Sequence, residues 1–205
     1  MLIDGWSHLM RKLQIQVDTT DCYQQICRSY HENNRYYHNL YHIADCLKLL
    51  DQYPDAVEDC SAVELAIWFH DVIYDPKQTD NEEQSAVWGG EQMGRWLLDC
   101  TLIETVQKLI RITDHKQTYR GGDAALIQDI DLEILGCDPV RYQDYSCAIR
   151  QEYDCYPDAI YKVGRRQVLE SFLSREKIFQ TDYYYSLFEA KARKNILNEL
   201  NTYQC

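Results

Sequence analysis

A dense apolar run, AIWFHDVIYDP at residues 66–76, constrains the fold of this chain more than any other segment. A helix that is hydrophobic nearly all round must be buried, and a buried carboxylate without a partner is costly or gives up its charge. The run nevertheless contains His70 and Asp71 side by side, with no Lys or Arg within helical reach. Asp71 therefore needs a partner from elsewhere in the chain, either a metal ion or a distant arginine.

The remainder of the chain has the pattern of a helical protein. Only four prolines and eight glycines occur in 205 residues, and they leave long stretches in which apolar residues recur every three to four positions. No segment has a convincing strand pattern, and no repeat or linker divides the chain. We therefore predict an all-α fold in which residues 1–205 form one helical-bundle domain. The predicted helices cover residues 3–15, 19–33, 36–52, 61–74, 80–98, 102–114, 123–136, 139–154, 158–174 and 182–202.

Three helix starts carry capping signals. The segments SAVE at residues 61–64 and TDNE at residues 79–82 match the capping box, in which a hydroxyl and a carboxylate each satisfy a backbone amide. Asp138 followed by Pro139 places a capping acid before a proline at the first helical position. These signals support helix starts close to residues 61, 80 and 139.

Charge and composition argue against several functional classes. A net charge of −12 repels a phosphate backbone, so we expect no nucleic-acid partner, and a phosphorylated substrate would need a local positive centre. The first residues lack the continuous apolar core of a secretory signal, and no stretch approaches the length of a membrane span. The nine cysteines form no C-x-x-C pair, which favours reduced thiols over a disulfide framework or a zinc knuckle. We therefore expect a cytoplasmic protein without a membrane partner.

Histidines and acids in several apolar segments suggest a metal site. His38 and His42 are four residues apart in the predicted helix 36–52, a spacing that allows a shared ligand but also fits two histidines held by backbone carbonyls. Farther along, the segment IRITDHK places His115 at the end of a predicted helix, and Asp129 and Asp131 interrupt the apolar run QDIDLEILG. A capped or arginine-paired carboxylate would explain each acid alone. Together, the imidazoles and carboxylates indicate a mixed site for a divalent metal.

The order of these residues resembles a known family. His42, then His70 with Asp71, then Asp131 resemble the H…HD…D pattern of the HD-domain superfamily of metal-dependent phosphohydrolases. The resemblance covers nearly the whole chain, and it looks closest to the small, stand-alone branch of predicted metal-dependent HD phosphohydrolases. The similar blocks are RYYHNLYHI, FHDVIYDP, DNEEQSA, DHK, DIDLEILG, GRRQVLESFL and FEAKARKNILNEL.

This resemblance implies a helical HD domain that holds one or two divalent ions, with Mn, Mg, Fe, Co, Ni and Zn all as candidates. The implied ligands are His42, His70, Asp71 and Asp131, with His115 and Asp129 as further candidates. Two assignments stay open at this point. His38 is the alternative to His42, although the apolar spacing after His42 favours the latter, and Asp129 is the alternative to Asp131.

The segment YDPKQTDNEEQSA supplies the candidate catalytic carboxylates, Glu82 and Asp75. Glu82 would orient or deprotonate the attacking water, or it would only complete the capping box. The commonest HD pattern continues with Gly and Lys after the HD pair, whereas VIYDP follows here, so the lysine role falls to Lys77 or Lys116. The candidate substrate-binding residues are His38, Asn81, Lys116 and Arg165, and Arg120 and Arg166 are further candidates for phosphate contact that also fit solvated surface charges.

These observations lead to one functional prediction and two alternatives. The prediction is metal-dependent hydrolysis of a phosphate ester in a nucleotide or another small phosphorylated metabolite, with the metal as the local positive centre. The first alternative is an HD-type di-iron oxygenase, because His115 would extend the ligand set to two ions. The second is a non-catalytic sensor that binds a nucleotide without turnover. The sequence leaves a homo-oligomer open.

Overall fold

The computed structural model describes residues 2–55 and 57–203. Within these residues the chain is helical and contains no strand, which confirms the predicted all-α bundle. The elements are α1 (Leu2–Lys12), α2 (Thr20–Ser29), α3 (Leu40–Gln52), α4 (Cys60–Phe69), α5 (Asn81–Arg95), α6 (Cys100–Ile112), α7 (Gly122–Leu132), a 3-10 helix (Glu133–Gly136), α8 (Pro139–Glu152), α9 (Asp158–Ser174) and α10 (Asp182–Thr202).

Helix α4 lies at the centre of the core. Every residue from Ala62 to Phe69 is buried except Glu64, which is half-buried. These side chains belong to one hydrophobic core that also takes residues from helices α1 to α3, α5 to α7, α9 and α10. The prediction that the apolar run around His70 is buried is therefore confirmed. Because the surrounding side chains are close-packed, α4 is a rigid support for the residues at its C-terminal end.

The predicted helix 36–52 starts late, at Leu40, so the prediction that His38 and His42 lie in the same helix is wrong for His38. Asn39 is the N-cap, and its side chain accepts a hydrogen bond from the backbone N–H of Tyr41 at 2.9 Å. The backbone N–H groups of Tyr37 and His38 donate instead to Glu152, at 2.7 and 2.9 Å. His38 therefore lies in the segment before α3 and not on the helix.

The predicted helix 61–74 ends early, at Phe69, with His70 as its C-cap. The groups that would continue the helix have partners elsewhere: the Asp71 N–H donates to the Tyr30 hydroxyl at 3.2 Å. The guanidinium of Arg35 donates to the backbone carbonyls of Asp71 and Val72, at 2.5 and 3.0 Å. His70 and Asp71 thus sit in a turn that Arg35 and Tyr30 hold in place.

Neither capping box forms. Helix α4 is capped two residues upstream of Ser61 by Asp59, whose carboxylate accepts from the Ala62 N–H at 2.9 Å and so replaces the serine hydroxyl. Helix α5 has Asp80 as its N-cap with no side-chain capping bond, so Thr79 lies outside the helix. The capping box that would link Glu82 to Thr79 is therefore absent.

The third capping signal is confirmed. Asp138 is the N-cap of α8, its carboxylate accepts from the N–H groups of Val140 and Arg141 at 3.1 Å each, and Pro139 is the first helical residue. Each of the eight cysteines within the described ranges is a free thiol; Cys205 lies outside them. None of the helices in the described part of the chain combines the length and apolar character that a membrane span requires.

Candidate metal centre

Four side chains, from α3, from α7 and from the turn after α4, converge at one wall of a cavity. His42 comes from the first turn of α3, and Asp131 comes from the last turn of α7. The Nε2 atom of His42 lies 3.1 Å from His70 Nε2 and 3.2 Å from Asp131 Oδ1. Asp71 Oδ2 lies 3.1 Å from His70 Nε2 and 3.8 Å from His42 Nε2. The sequence-predicted ligands His42, His70, Asp71 and Asp131 are therefore brought together.

The hydrogen bond on the far side of His70 orients its ring as a ligand. His70 Nδ1 lies 2.9 Å from the backbone carbonyl oxygen of Ile67. A carbonyl oxygen only accepts, so Nδ1 carries the hydrogen and donates it. In the neutral imidazole, Nε2 then presents its lone pair to His42 and the carboxylates, which is the arrangement of a metal-binding histidine.

The charges of the group favour a bound cation. Burial opposes the ionisation of Asp131, but hydrogen bonds from His115, His42 and His70 outweigh it and hold the pKa of Asp131 well below its ordinary value. Burial likewise opposes ionisation of Asp71, and the neighbouring His70 and His38 lower its pKa. Burial alone would lower the pKa of His70, but the two carboxylates raise it well above its ordinary value. Two anionic carboxylates thus attract positive charge to one point.

The donor set fits a divalent ion. Metal bonds of about 2.0–2.2 Å to nitrogen and oxygen hold neighbouring ligand atoms roughly 3.0–3.6 Å apart, and the separations among His42, His70 and Asp131 are 3.1–3.6 Å. Asp71 Oδ2 lies 3.1 and 3.8 Å from the two histidines but is outside the group whose ligand atoms are all within 4.8 Å of one another. Two imidazoles with two carboxylates suit borderline divalent metals. In the part of the chain that the structure describes, His42, His70 and Asp131 form the group whose ligand atoms all lie within 4.8 Å of one another.

The partners of the Asp71 carboxylate are histidines and not an arginine. Its carboxylate faces His70 and His42, at 3.1 and 3.8 Å. Arg35, the nearby arginine, binds the backbone carbonyl of Asp71 and forms its ion pair with Glu32 at 3.1 Å. The arginine therefore fixes the turn, and the carboxylate is left for the site.

Asp131 has a second contact through its other oxygen. Oδ2 lies 2.7 Å from Nε2 of His115, whose backbone has a positive φ of 53°. The Nδ1 atom of His115 is buried without a hydrogen-bond partner. Asp131 thus contacts His115 through Oδ2 and contacts His42 and His70 through Oδ1. His115, a further candidate ligand in the sequence analysis, lies beside the group.

Asp129 faces away from the site. It is fully buried, and its carboxylate accepts hydrogen bonds from Gln180 N at 2.8 Å and from the N–H and hydroxyl of Thr181 at 2.7 Å each. Residues two apart on a helix point about 200° away from each other. The two aspartates therefore have different partners. Asp129 binds the start of α10, whereas Asp131 faces the histidines.

The cavity in front of the group has a volume of about 680 Å³. Asp71 and Asp131 line it, and His42 and His70 lie buried behind them. Six other predicted site residues line it: His38, Asn81, Glu82, His115, Lys116 and Arg165. Most of the predicted site residues thus line one space, with His42 and His70 behind its wall and Asp75 and Asp129 outside the lining.

His38 is held against a residue that sequence reasoning missed. Its Nδ1 lies 2.6 Å from Glu152 Oε2, and its ring packs on Tyr74, with the centroids 4.3 Å apart. The Tyr74 hydroxyl donates to the same carboxylate at 2.9 Å. Burial alone would lower the pKa of His38, but Glu152 outweighs it and raises the pKa. No local pattern marks Glu152, which lies near the end of α8, 114 positions from His38.

The two candidate catalytic carboxylates, Glu82 and Asp75, differ in whether they line the cavity. Glu82 lines the cavity, and burial together with the charge of Asp71 raises its pKa above the ordinary value. Asp75 does not line the cavity: its carboxylate accepts from the Lys77 N–H at 2.9 Å. Asn81 binds the backbone N–H and carbonyl of Asp75 at 3.0 Å each and so closes the loop. Glu82 is therefore the carboxylate available to a ligand in the cavity.

The candidate phosphate-contacting cations are already paired. Arg165 is buried and contacts Glu199 at 2.9 and 3.2 Å, and it also donates to the Tyr145 hydroxyl at 3.2 Å. Lys116 Nζ lies 3.1 Å from Asp114, with the lysine side chain largely exposed. Three other candidates, Lys77, Arg120 and Arg166, do not line the cavity.

Comparisons of the chain with protein-family models, with curated proteins and with solved structures found no match.

Proposed function

We propose that this protein is a metal-dependent phosphohydrolase of the HD-domain type, which hydrolyses a phosphate ester in a nucleotide or another small phosphorylated metabolite. The observation that carries the proposal is the convergence of His42, His70, Asp71 and Asp131 at a cavity of ligand size. These are the four residues whose order resembles the H…HD…D pattern. Sequence order and spatial grouping therefore support the same hypothesis.

The four residues would hold one divalent ion. When bound, such an ion lowers the pKa of a water molecule and offsets the negative charge of a phosphate. The chain itself carries a net charge of −12, so a phosphate needs such a local positive centre. Arg35 keeps the turn that carries His70 and Asp71 in position through its bonds to two backbone carbonyls.

Glu82 accepts the proton of the attacking water. Its carboxylate lines the same cavity as Asp71 and Asp131. Burial and the charge of Asp71 raise its pKa, which brings its basicity closer to the operating pH of a general base. The capping box with Thr79, which is the alternative role for this side chain, does not form.

His38 donates a proton to the leaving oxygen. Glu152 holds Nδ1 at 2.6 Å, which leaves Nε2 as the ring nitrogen that can face a ligand in the cavity. The carboxylate of Glu152 stabilises the protonated ring and fixes its orientation, as an acid does for a catalytic histidine. Tyr74 packs on the ring and binds the same carboxylate, so the ring has little freedom to turn.

Phosphate release from a panel of phosphate esters, measured on metal-stripped protein before and after addition of Mn²⁺, Co²⁺, Fe²⁺, Ni²⁺, Zn²⁺ or Mg²⁺, tests the proposal. We expect turnover only after addition of a metal, and none in His70→Ala or Asp71→Ala. The matched control is His31→Ala, since His31 is exposed on the surface. Metal binding without turnover of any ester would contradict the hydrolase and support the sensor alternative.

One observation favours a second candidate, an oxygen-dependent reaction at a two-iron site. Asp131 uses one oxygen toward His42 and His70 and the other toward His115 at 2.7 Å, which is how a carboxylate bridges two ions. Two equivalents of iron and oxygen consumption that depends on His115 would support this reading. One equivalent of metal, with turnover that needs no oxygen, would contradict it.

A further inference from the structure

We infer that the ligand of the cavity is a monoester with a single phosphate on an aromatic or apolar alcohol. This inference rests on the proposed function and adds the substrate class. It is carried by two observations: the chemistry of the cavity wall formed by α8 and α9, and the absence of unpaired cations among the described lining residues.

The wall contributed by α8 and α9, here called the α8–α9 wall, is mostly aromatic and aliphatic, although Arg165 and Gln167 also line it. Its apolar side chains include Tyr145, Ile149, Tyr153, Ile160, Tyr161 and Val168. Ile160 and Val168 are 59% and 46% exposed, although they are large apolar side chains that face the cavity. Apolar surface left open in a concave site marks a place where a ligand covers it.

The cavity already contains more acid than base. Four carboxylates line it: Asp71, Glu82, Asp114 and Asp131. The two permanent cations of the lining, Lys116 and Arg165, are each paired with a carboxylate, with Asp114 at 3.1 Å and with Glu199 at 2.9 Å. A divalent ion at the four ligands offsets the charge of one phosphate. A second or third phosphate would meet carboxylates without a free cation, and this like-charge contact is unfavourable.

The two parts of the cavity are close enough for one small molecule to contact both. Tyr145 packs on Tyr37, with centroids 4.7 Å apart, and Tyr37 packs on His42 at 5.0 Å. On the other side, Phe172 packs on His115 at 6.2 Å. A volume of about 680 Å³ lies within the range of roughly 300–1,000 Å³ that small-molecule sites occupy. A phosphate at the ligands thus places the esterified group against aromatic rings.

The test compares two monoesters of primary alcohols, benzyl phosphate and glycerol phosphate, on the metal-loaded protein. We expect kcat/KM for benzyl phosphate to be higher by about tenfold or more, a usual discrimination for apolar contacts in a pocket. A nucleoside monophosphate should likewise exceed its triphosphate. Equal values for the two primary-alcohol esters, or a preference for the triphosphate, would overturn the inference while leaving the hydrolase intact.

Two variants on α9 localise the effect. Ile160→Ser changes an exposed residue that lines the cavity, and Val163→Ser changes a residue on the same helix, 58% exposed, that does not line it. We expect Ile160→Ser to lower kcat/KM for benzyl phosphate several-fold and to leave glycerol phosphate unchanged. Val163→Ser should change neither. If both variants behave alike, the α8–α9 wall does not contact the substrate.

A binding measurement separates this inference from the proposed function. Benzylphosphonate and ethylphosphonate are not hydrolysed, so calorimetric titration of the metal-loaded protein compares their affinities without turnover. Tighter binding of benzylphosphonate, weakened by Ile160→Ser, supports the ligand class even if no ester is hydrolysed. Equal binding of the two phosphonates would contradict it even if hydrolysis occurs.

Discussion

His42 and His70 face each other with their Nε2 atoms 3.1 Å apart, although one begins α3 and the other ends α4. Two imidazole nitrogens this close need a proton or a cation between them, because their lone pairs repel. Asp131 adds a carboxylate oxygen 3.2 Å from His42 and 3.6 Å from His70. His42, His70 and Asp131 could hold a metal ion at this position, as the proposed function requires.

Asp131→Asn and Asp129→Asn form a matched pair, since both change a carboxylate on α7 to an amide. Asp131→Asn should weaken metal affinity by at least about a hundredfold, because even residues outside the ligand shell can cost 10–100-fold. Asp129→Asn should keep the metal and lower the free energy of unfolding by about 1–3 kcal/mol, because an acceptor for Gln180 and Thr181 is lost. Metal titration and denaturant unfolding measure the two effects. Equal metal loss in both variants would contradict the assignment.

His38→Ala and Glu152→Gln should share a phenotype. His38→Ala removes the imidazole, and Glu152→Gln removes the carboxylate that keeps this imidazole oriented and charged, so kcat should fall by about 10²–10⁴-fold in each, the usual contribution of a positioned proton donor. Metal content should stay close to that of the unaltered protein, because His38 lies outside the four ligands. Metal loss in His38→Ala as large as in His70→Ala would show that His38 is a ligand instead.

Glu82→Gln is compared with Glu83→Gln, its neighbour on α5. Glu82 lines the cavity, whereas Glu83 is exposed and pairs with Arg111 at 2.5 Å. Glu82→Gln keeps the shape but removes the basic oxygen, so kcat should fall by about 10²–10⁴-fold at unchanged metal content. Glu83→Gln should keep its turnover. Full activity in folded, metal-replete Glu82→Gln would exclude a catalytic role for this carboxylate.

Glu64 gives the stability of the fold a pH dependence away from the site. Burial raises the pKa of Glu64 from 4.5 to about 7, with Asp51 adding to the rise and Lys12 opposing it. Between these pH values the folded protein retains a proton that the unfolded chain releases, so stability falls as pH rises through this window. Glu64→Gln should therefore raise Tm at pH 8 and have a smaller effect at pH 5.

The control for this prediction is Glu104→Gln, which changes an exposed glutamate on α6. Thermal unfolding of both variants at the two pH values gives the comparison. An equal change in Tm at pH 5 and pH 8 for Glu64→Gln would contradict the raised pKa.

The sequence predicts most of the fold because helix periodicity and the scarcity of Pro and Gly are local signals. The predicted ranges 158–174 and 182–202 coincide with α9 and α10. The two large errors, at His38 and after Phe69, arise where distant side chains take over the backbone hydrogen bonds. Glu152 binds the N–H groups before α3, and Arg35 binds the carbonyls after α4. Neither contact can be predicted from the local sequence pattern around the helix end that it affects.

For the site, the sequence predicts which residue types meet but not all of their assignments. Asp129 and Asp131 interrupt the same apolar run. Only the helix geometry shows that Asp129 binds the start of α10 and that Asp131 faces His42. Glu152 is invisible to sequence reasoning, because a single glutamate near the end of an amphipathic helix usually faces solvent. Its role depends on a contact with His38 that only the folded chain makes.

Anomalous diffraction from crystals soaked with Mn²⁺ or Co²⁺, recorded at the absorption edge of the metal, tests the central assignment most directly. We expect a strong peak at bonding distance, about 2.0–2.2 Å, from His42 Nε2, His70 Nε2 and Asp131 Oδ1, with Asp71 as the fourth ligand. The peak should be absent in Asp131→Asn crystals. A metal-saturated protein with no peak between these residues would contradict the assignment.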